Sequence, residues 1–202
     1  IKSASINFQS PLQNVKVLLM QNGKFDKAIT NIKPQYTIGN KLIYRYIKET
    51  AFAGGNEYLF LETKDVRAAT SRVQSIALED IYQSYLYTDV IRKNLPYTYN
   101  PDINGQFKIV AIDRDDVAVE ADYVQVHFSL KYPELTNGES IYIYGNYNNY
   151  ALSDYNRMTL NIESGLYETN FKLKQGFYNY KYVIVNKNGD LNEGAISGDF
   201  WQ

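Results

Sequence analysis

Hydrophobic and polar residues alternate along much of this chain. From Tyr123 to Lys131, Val124, Val126, Phe128 and Leu130 fall on one side of an extended backbone. Tyr123, Gln125, His127, Ser129 and Lys131 fall on the other. A period of two predicts a half-buried strand with the aliphatic side facing a core. Similar runs occupy Val15 to Met20, Lys41 to Ile47, Glu57 to Leu61, Tyr82 to Tyr87, Phe107 to Ile112, Ser140 to Tyr144, Tyr167 to Leu173 and Phe177 to Val185. In the last of these Tyr178, Tyr180 and Tyr182 share a face opposite Val183 and Val185. Asn-Gly recurs at 22–23, 104–105, 137–138 and 188–189, where the positive φ of a tight hairpin is tolerated. Ser164-Gly165 and Gly54-Gly55 read as further turns. The one helix candidate is Ala68 to Leu78. The expected fold is all-β, two antiparallel β-sandwich domains spanning 1–120 and 121–202. The boundary falls near 117–122, after the charged run Asp113-Arg114-Asp115-Asp116 and before the strong strand at Tyr123.

Composition narrows the function more than the fold. Net charge is −1 with Lys and Arg read as scattered, which argues against a nucleic-acid partner. No apolar run approaches the roughly 20 residues of a membrane helix, so no membrane span is expected. The chain starts at Ile1 without an apolar leader, and is expected to be a trimmed or partial sequence. There is no cysteine, which removes disulfides and thiol chemistry. Twenty tyrosines fit half-buried sheets, and also recognition surfaces, because the ring is apolar and its tip is polar.

Candidate chemistry is sparse. Any histidine-based site must use His127, which sits mid-strand on the polar face and reads as a solvated side chain. Asp113, Asp115 and Asp116 resemble the start of a calcium loop but lack its glycine and distal glutamate, and read as a solvated linker. A glycosidase needs only two carboxylates, and nothing in the sequence selects a pair among the 22 acidic residues. No catalytic residue, metal or cofactor is expected.

Two resemblances add to this reading. Gly145-Asn146-Tyr147-Asn148-Asn149-Tyr150, Gly165-Leu166-Tyr167 and Gly176-Phe177-Tyr178-Asn179-Tyr180-Lys181-Tyr182 together resemble a glycogen- or starch-binding module of the early-set immunoglobulin type. The resemblance implies that 121–202 is such a domain, and that a carbohydrate-type surface would be carried by Tyr147, Tyr150 and Lys181. Tyr150 and Tyr167 stand where sugar-binding members have tryptophan. The sole Trp, Trp201, lies beyond the pattern, so weak or no α-glucan binding is expected.

The broader resemblance runs through Asn14 to Val17, Gln21 to Gly23, Lys33 to Gln35, Gly39 to Tyr44 and Gly55 to Glu57. It continues through Asp102 to Gly105, Ala121 to Val124, Asn156 to Met158 and Lys174 to Tyr180. In order and spacing these blocks resemble the plug proteins of the bacterial type IX secretion system, a Bacteroidetes domain family. Members are longer, so this chain is expected to be a middle and C-terminal portion. The resemblance implies a non-enzymatic periplasmic protein, associated with the outer membrane, that seals the periplasmic opening of a large translocon barrel. A carbohydrate-binding module is the alternative.

Overall fold

The computed structural model describes residues 9–39, 41–136 and 138–199. Asn137 of one expected turn and Trp201 therefore lie outside the described residues. The chain is mostly β, with a few helices of three or four residues. It divides into two compact units, 1–53 and 54–202.

In the first unit, β1 (Val17–Leu19) pairs antiparallel with β2 (Ile29–Ile32). The intervening Asn22 and Gly23 take φ of 55° and 73°, as the Asn-Gly signal predicts. A second hairpin joins β3 (Tyr36–Ile38) to β4 (Lys41–Ile43), with Tyr36 opposite Ile43, Thr37 opposite Leu42 and Ile38 opposite Lys41. Ile32 and Leu42 are among its few buried side chains.

The second unit holds two larger sheets. Its strands are β5 (Leu59–Glu62), β6 (Val73–Leu78), β7 (Tyr82–Leu86), β8 (Asp89–Val90), β9 (Phe107–Ile109), β10 (Tyr123–Lys131), β11 (Ser140–Tyr144), β12 (Thr159–Asn161), β13 (Leu166–Lys174), β14 (Gly176–Val185) and β15 (Leu191–Asn192). One sheet runs β12-β13-β10-β7-β6, with β8 also on β10. It is mixed: β10 is antiparallel to β13 but parallel to both β7 and β8. The other sheet is built on β14. The N-terminal half of β14 pairs with β5 and β9, and its C-terminal half with β11 and β15.

The two sheets share one core. Val124, Val126, Phe128 and Leu130 of β10 are all buried, in the register that their alternation predicts. Phe128 stacks on Phe171 of β13 at 4.8 Å and meets Tyr180 of β14 edge-on at 5.3 Å. Tyr178, Tyr180 and Tyr182 all face inward, so the tyrosine stripe of β14 is core. Its hydroxyls need partners there. Tyr180 and Tyr182 both donate to Asp89 Oδ2 at 2.8 Å, and Arg72 donates to Asp89 Oδ1 at 2.5 Å and to the Tyr180 hydroxyl at 2.9 Å. Burial alone would lower the Arg72 pKa, but Tyr180 and Asp89 raise it overall, so the guanidinium stays charged. This partly buried pair, through the Tyr180 and Tyr182 hydroxyls, joins β8 of one sheet to β14 of the other.

Two expectations change. Ala68 to Leu78 is not a helix, since its second half is β6. The Thr70 hydroxyl accepts the N–H groups of Arg72 and Val73, at 3.1 and 3.0 Å, diverting backbone donors from a helical turn. Nor does the chain divide at 117–122. Strands from both sides of that segment pair in each sheet, β7 with β10 and β5 with β14. Asp122 is itself fastened to Gln175, giving its N–H to the side-chain carbonyl at 2.9 Å and accepting the Gln175 N–H at 2.8 Å. The division falls at 53/54, beside Gly54-Gly55, where neither glycine takes a positive φ.

Candidate functional site

β14 presents its even-numbered residues to the core and Phe177, Asn179, Lys181 and Val183 to the opposite face. That face is covered by loops, and Asn179 organises them. It is fully buried, and its Oδ1 accepts the N–H groups of Ile103 at 2.7 Å and Gly105 at 3.3 Å. Its own backbone N–H donates to Gln106 O at 3.0 Å. The loop so held continues the network: Asp102 accepts the Tyr58 N–H at 2.5 Å, and the Gly105 carbonyl accepts the Asn146 N–H at 2.8 Å. Gly105 has φ 79°, and a Cβ there would lie 2.7 Å from the Tyr150 hydroxyl and 2.8 Å from the Tyr58 ring. Only glycine fits both the turn and the contact.

Around this loop the expected carbohydrate residues are placed as follows. Lys181 is 5% exposed, with its ammonium 4.3 Å from the centroid of the Tyr58 ring. Tyr150, in the left-handed region at φ 56°, meets Tyr144 edge-on at 5.4 Å. Tyr144 is the β11 partner of Lys181, so Tyr150 and Lys181 are brought to one place. Tyr147 turns the other way. Its ring lies against Phe171 at 6.0 Å and Tyr178 at 5.8 Å, and its hydroxyl is buried without a hydrogen-bond partner. Burial drives its pKa far above the ordinary phenol value. Gly145 permits this turn, since a Cβ there would stand 2.4 Å from the Asn179 carbonyl. The three side chains thus form no common exposed platform of the kind on which a sugar ring stacks.

Arg92, Tyr97 and Ser197, which sequence reasoning passed over, bond to Asn56 and Glu57 of a quoted block. Arg92 donates to Glu57 O at 2.9 Å and to Asn56 Oδ1 at 3.0 Å, the Tyr97 hydroxyl donates to Glu57 Oε1, and Asn56 donates to Ser197 O at 2.7 Å. Such bonds fix loops against a sheet, and tolerance of change is lowest where they are buried. Asn179 and Asp102 stand in blocks that the sequence analysis quoted. Only the bonds from Ile103 and Gly105 of the second block to Asn179 of the first, across 76 and 74 residues, were invisible there.

The remaining candidates are dispersed. His127 is half-buried, with Nε2 2.8 Å from Gln83 Oε1 and its ring stacked on Tyr85 at 4.2 Å. Burial lowers its pKa, against a smaller opposing effect of Glu79. Asp113 pairs with Arg67 at 3.1 Å, while Asp116 caps the short helix Val117–Glu120 by accepting the Ala118 N–H. Between β11 and β12 opens a cleft of ≈ 430 Å³, with Leu135, Met158, Leu160 and Tyr167 toward its apolar side and Glu134, Glu139, Asp154 and Arg157 among its charged lining.

These features define a mostly β protein of two units, in the second of which loops are packed against one long strand. No protein-family model matches the chain, and no curated protein matches it. It is similar to the crystal structure of a hypothetical protein from Parabacteroides merdae ATCC 43184, at 31% identity and a TM-score of 0.81. The match covers 100% of this chain and 51% of that one, so the chain spans about half the length of this relative.

Proposed function

We propose that this chain is part of a periplasmic plug that closes the inner mouth of the type IX outer-membrane translocon and acts by occupying space rather than by turning over a substrate. The observation that carries the reading is the run of plug-family blocks from Asn14 to Tyr180. Several of those distant blocks meet in space: Asp102 to Gly105 is held by Asn179 of Lys174 to Tyr180, and Ala121 to Val124 is fastened to Gln175 of the same block. A shared loop scaffold is a physical reason for such blocks to recur together. The similarity to a Parabacteroides protein supports the reading, because the family belongs to Bacteroidetes. On the same reading the second unit is an early-set immunoglobulin-like sandwich, supported by its two sheets with a common core.

A plug has to be rigid and has to release. Rigidity is supported by the partly buried Arg72–Asp89 pair and the Asn179 network; reversible contact is supported by exposed tyrosines such as Tyr87, Tyr99 and Tyr155. Affinity in such an interface follows a few central contacts more than area. Deleting the gene is expected to make the outer membrane leakier to large hydrophilic solutes when the translocon is open, and tagged protein is expected to co-purify with the barrel. Unchanged permeability together with failure of the purified protein to bind the barrel would refute the proposal.

A further inference from the structure

Charge is unevenly divided between the two units. Residues 1–53 contain eight Lys and Arg against Asp26 and Glu49, a formal +6, whereas residues 54–202 contain thirteen against twenty, a formal −7. The scatter of cations expected from the near-neutral total does not hold at this scale. Half of the first unit's cations, Lys33, Lys41, Arg45 and Lys48, fall within 33–48, a segment without a single Asp or Glu. All four are exposed, and none enters an ion pair among the described residues.

This segment is the β3–β4 hairpin and its flanks, and its register sorts the side chains. Leu42, with Thr37 opposite, points to the inner face and is buried. Tyr36, Ile38 and Lys41 therefore share the outer face, because side chains alternate along each strand and directly opposed residues lie on one side. Arg45 joins them, its guanidinium 5.8 Å over the Tyr36 ring and its N–H held by Gln35 Oε1 at 2.8 Å. The Tyr46 hydroxyl ties the two flanks by donating to Lys33 O at 3.1 Å. On this cationic ribbon two aliphatic side chains are exposed, Ile38 at 59% and Ile47, beside Lys48, at 83%.

We infer that the 33–48 hairpin docks the first unit on an anionic phospholipid surface. Lys and Arg beside an anionic leaflet are each worth about 1 kcal/mol, and exposed apolar side chains next to them can enter the headgroup boundary. Tyr36 suits that depth, with an apolar ring and a polar tip. The composition favours lipid over an acidic protein, because protein interfaces are depleted of Lys, and three of these four cations are Lys. The inference goes beyond the plug reading and does not depend on it, since the surface recognised is the bilayer and not the barrel.

The test is co-flotation of the 202-residue protein with vesicles of phosphatidylcholine containing phosphatidylglycerol, compared with phosphatidylcholine alone. Binding is expected to the anionic vesicles only, and to weaken as salt is raised. Lys41→Gln and Arg45→Gln are each expected to reduce the partition coefficient about five-fold, the factor that about 1 kcal/mol represents. Ile38→Ser is expected to weaken what survives at high salt. Lys131→Gln and Lys187→Gln, exposed positions in the other unit that change net charge equally, are expected to have no effect; circular dichroism verifies folding of each variant. Failure to float with anionic vesicles, equal flotation with neutral ones, or equal losses from the control substitutions would overturn the inference. So would retention on duplex DNA without retention on vesicles.

Discussion

At the scale of single residues, Asn179 has the most consequential position on the covered face of β14. Its side-chain oxygen satisfies two backbone N–H groups of another loop, and Asn179→Ala would leave the buried donor of Gly105 and the part-buried donor of Ile103 without that acceptor. Unmet buried donors cost about 1–3 kcal/mol each, so the variant is expected to lose about 2–3 kcal/mol in urea unfolding, the 3.3 Å bond to Gly105 being the weaker. Lys181 makes a different point. A lysine that hydrogen-bonds a sugar needs its ammonium at the surface, and this one is packed over Tyr58. With Tyr147 turned into the core as well, calorimetry with maltooligosaccharides is expected to register no binding. Measurable binding that Tyr150→Ala abolishes would restore the carbohydrate reading.

At the scale of elements, β10 joins the two readings of its alternation. Its inner face is apolar and buried; its outer face is a polar ladder in which Gln125 bonds Asn170 at 2.6 Å and His127 sits between Gln83 and Tyr85. The half-buried imidazole titrates below its ordinary value of 6.5, mainly because burial disfavours the charged form. Above that value the ring is neutral in both folded and unfolded chains and costs nothing. As pH falls below 6.5 the unfolded chain protonates first, and stability declines until the folded ring is protonated too. Thermal melts are therefore expected to show a loss of stability on acidification that is smaller in His127→Gln. An identical pH profile in the variant would exclude His127 as its source. β6 shows the limit of local reading: Val73 to Leu78 has little period of its own, and its strand state comes from pairing with β7.

At the scale of the molecule, the pairing of β5, β7 and β9 with β10 and β14 has a direct consequence for dissection. A fragment of residues 54–202 retains every strand of both large sheets and is expected to melt cooperatively with dispersed amide resonances. A fragment of residues 121–202 keeps β10 to β15 but lacks β5 to β9, removing Leu61, Val73 and Leu86 from the core and Arg72 and Asp89 from the buried network. It is expected to remain unfolded or to aggregate. Cooperative folding of that shorter fragment would reinstate the boundary at 117–122.

Sequence alone determined the β class, the register of β10, the sorting of the β14 residues onto two opposite faces, and the Asn22-Gly23 and Asn104-Gly105 turns. These rest on local physics: side chains alternate with a period of two, and Asn-Gly accepts positive φ. The separation of charge between residues 1–53 and 54–202 was also present in the sequence, and became visible only once the division was known. Tertiary structure decided which strands are neighbours, and so where the chain divides. The parallel pairing of β10 with β7 joins segments about 40 residues apart, and no local pattern encodes a partner at that distance. It also decided the fate of the tyrosines. A period of two places Tyr178, Tyr180 and Tyr182 on one face without saying whether that face meets water or core. Asp89, brought up from another strand to accept two of the hydroxyls, is what lets them be buried.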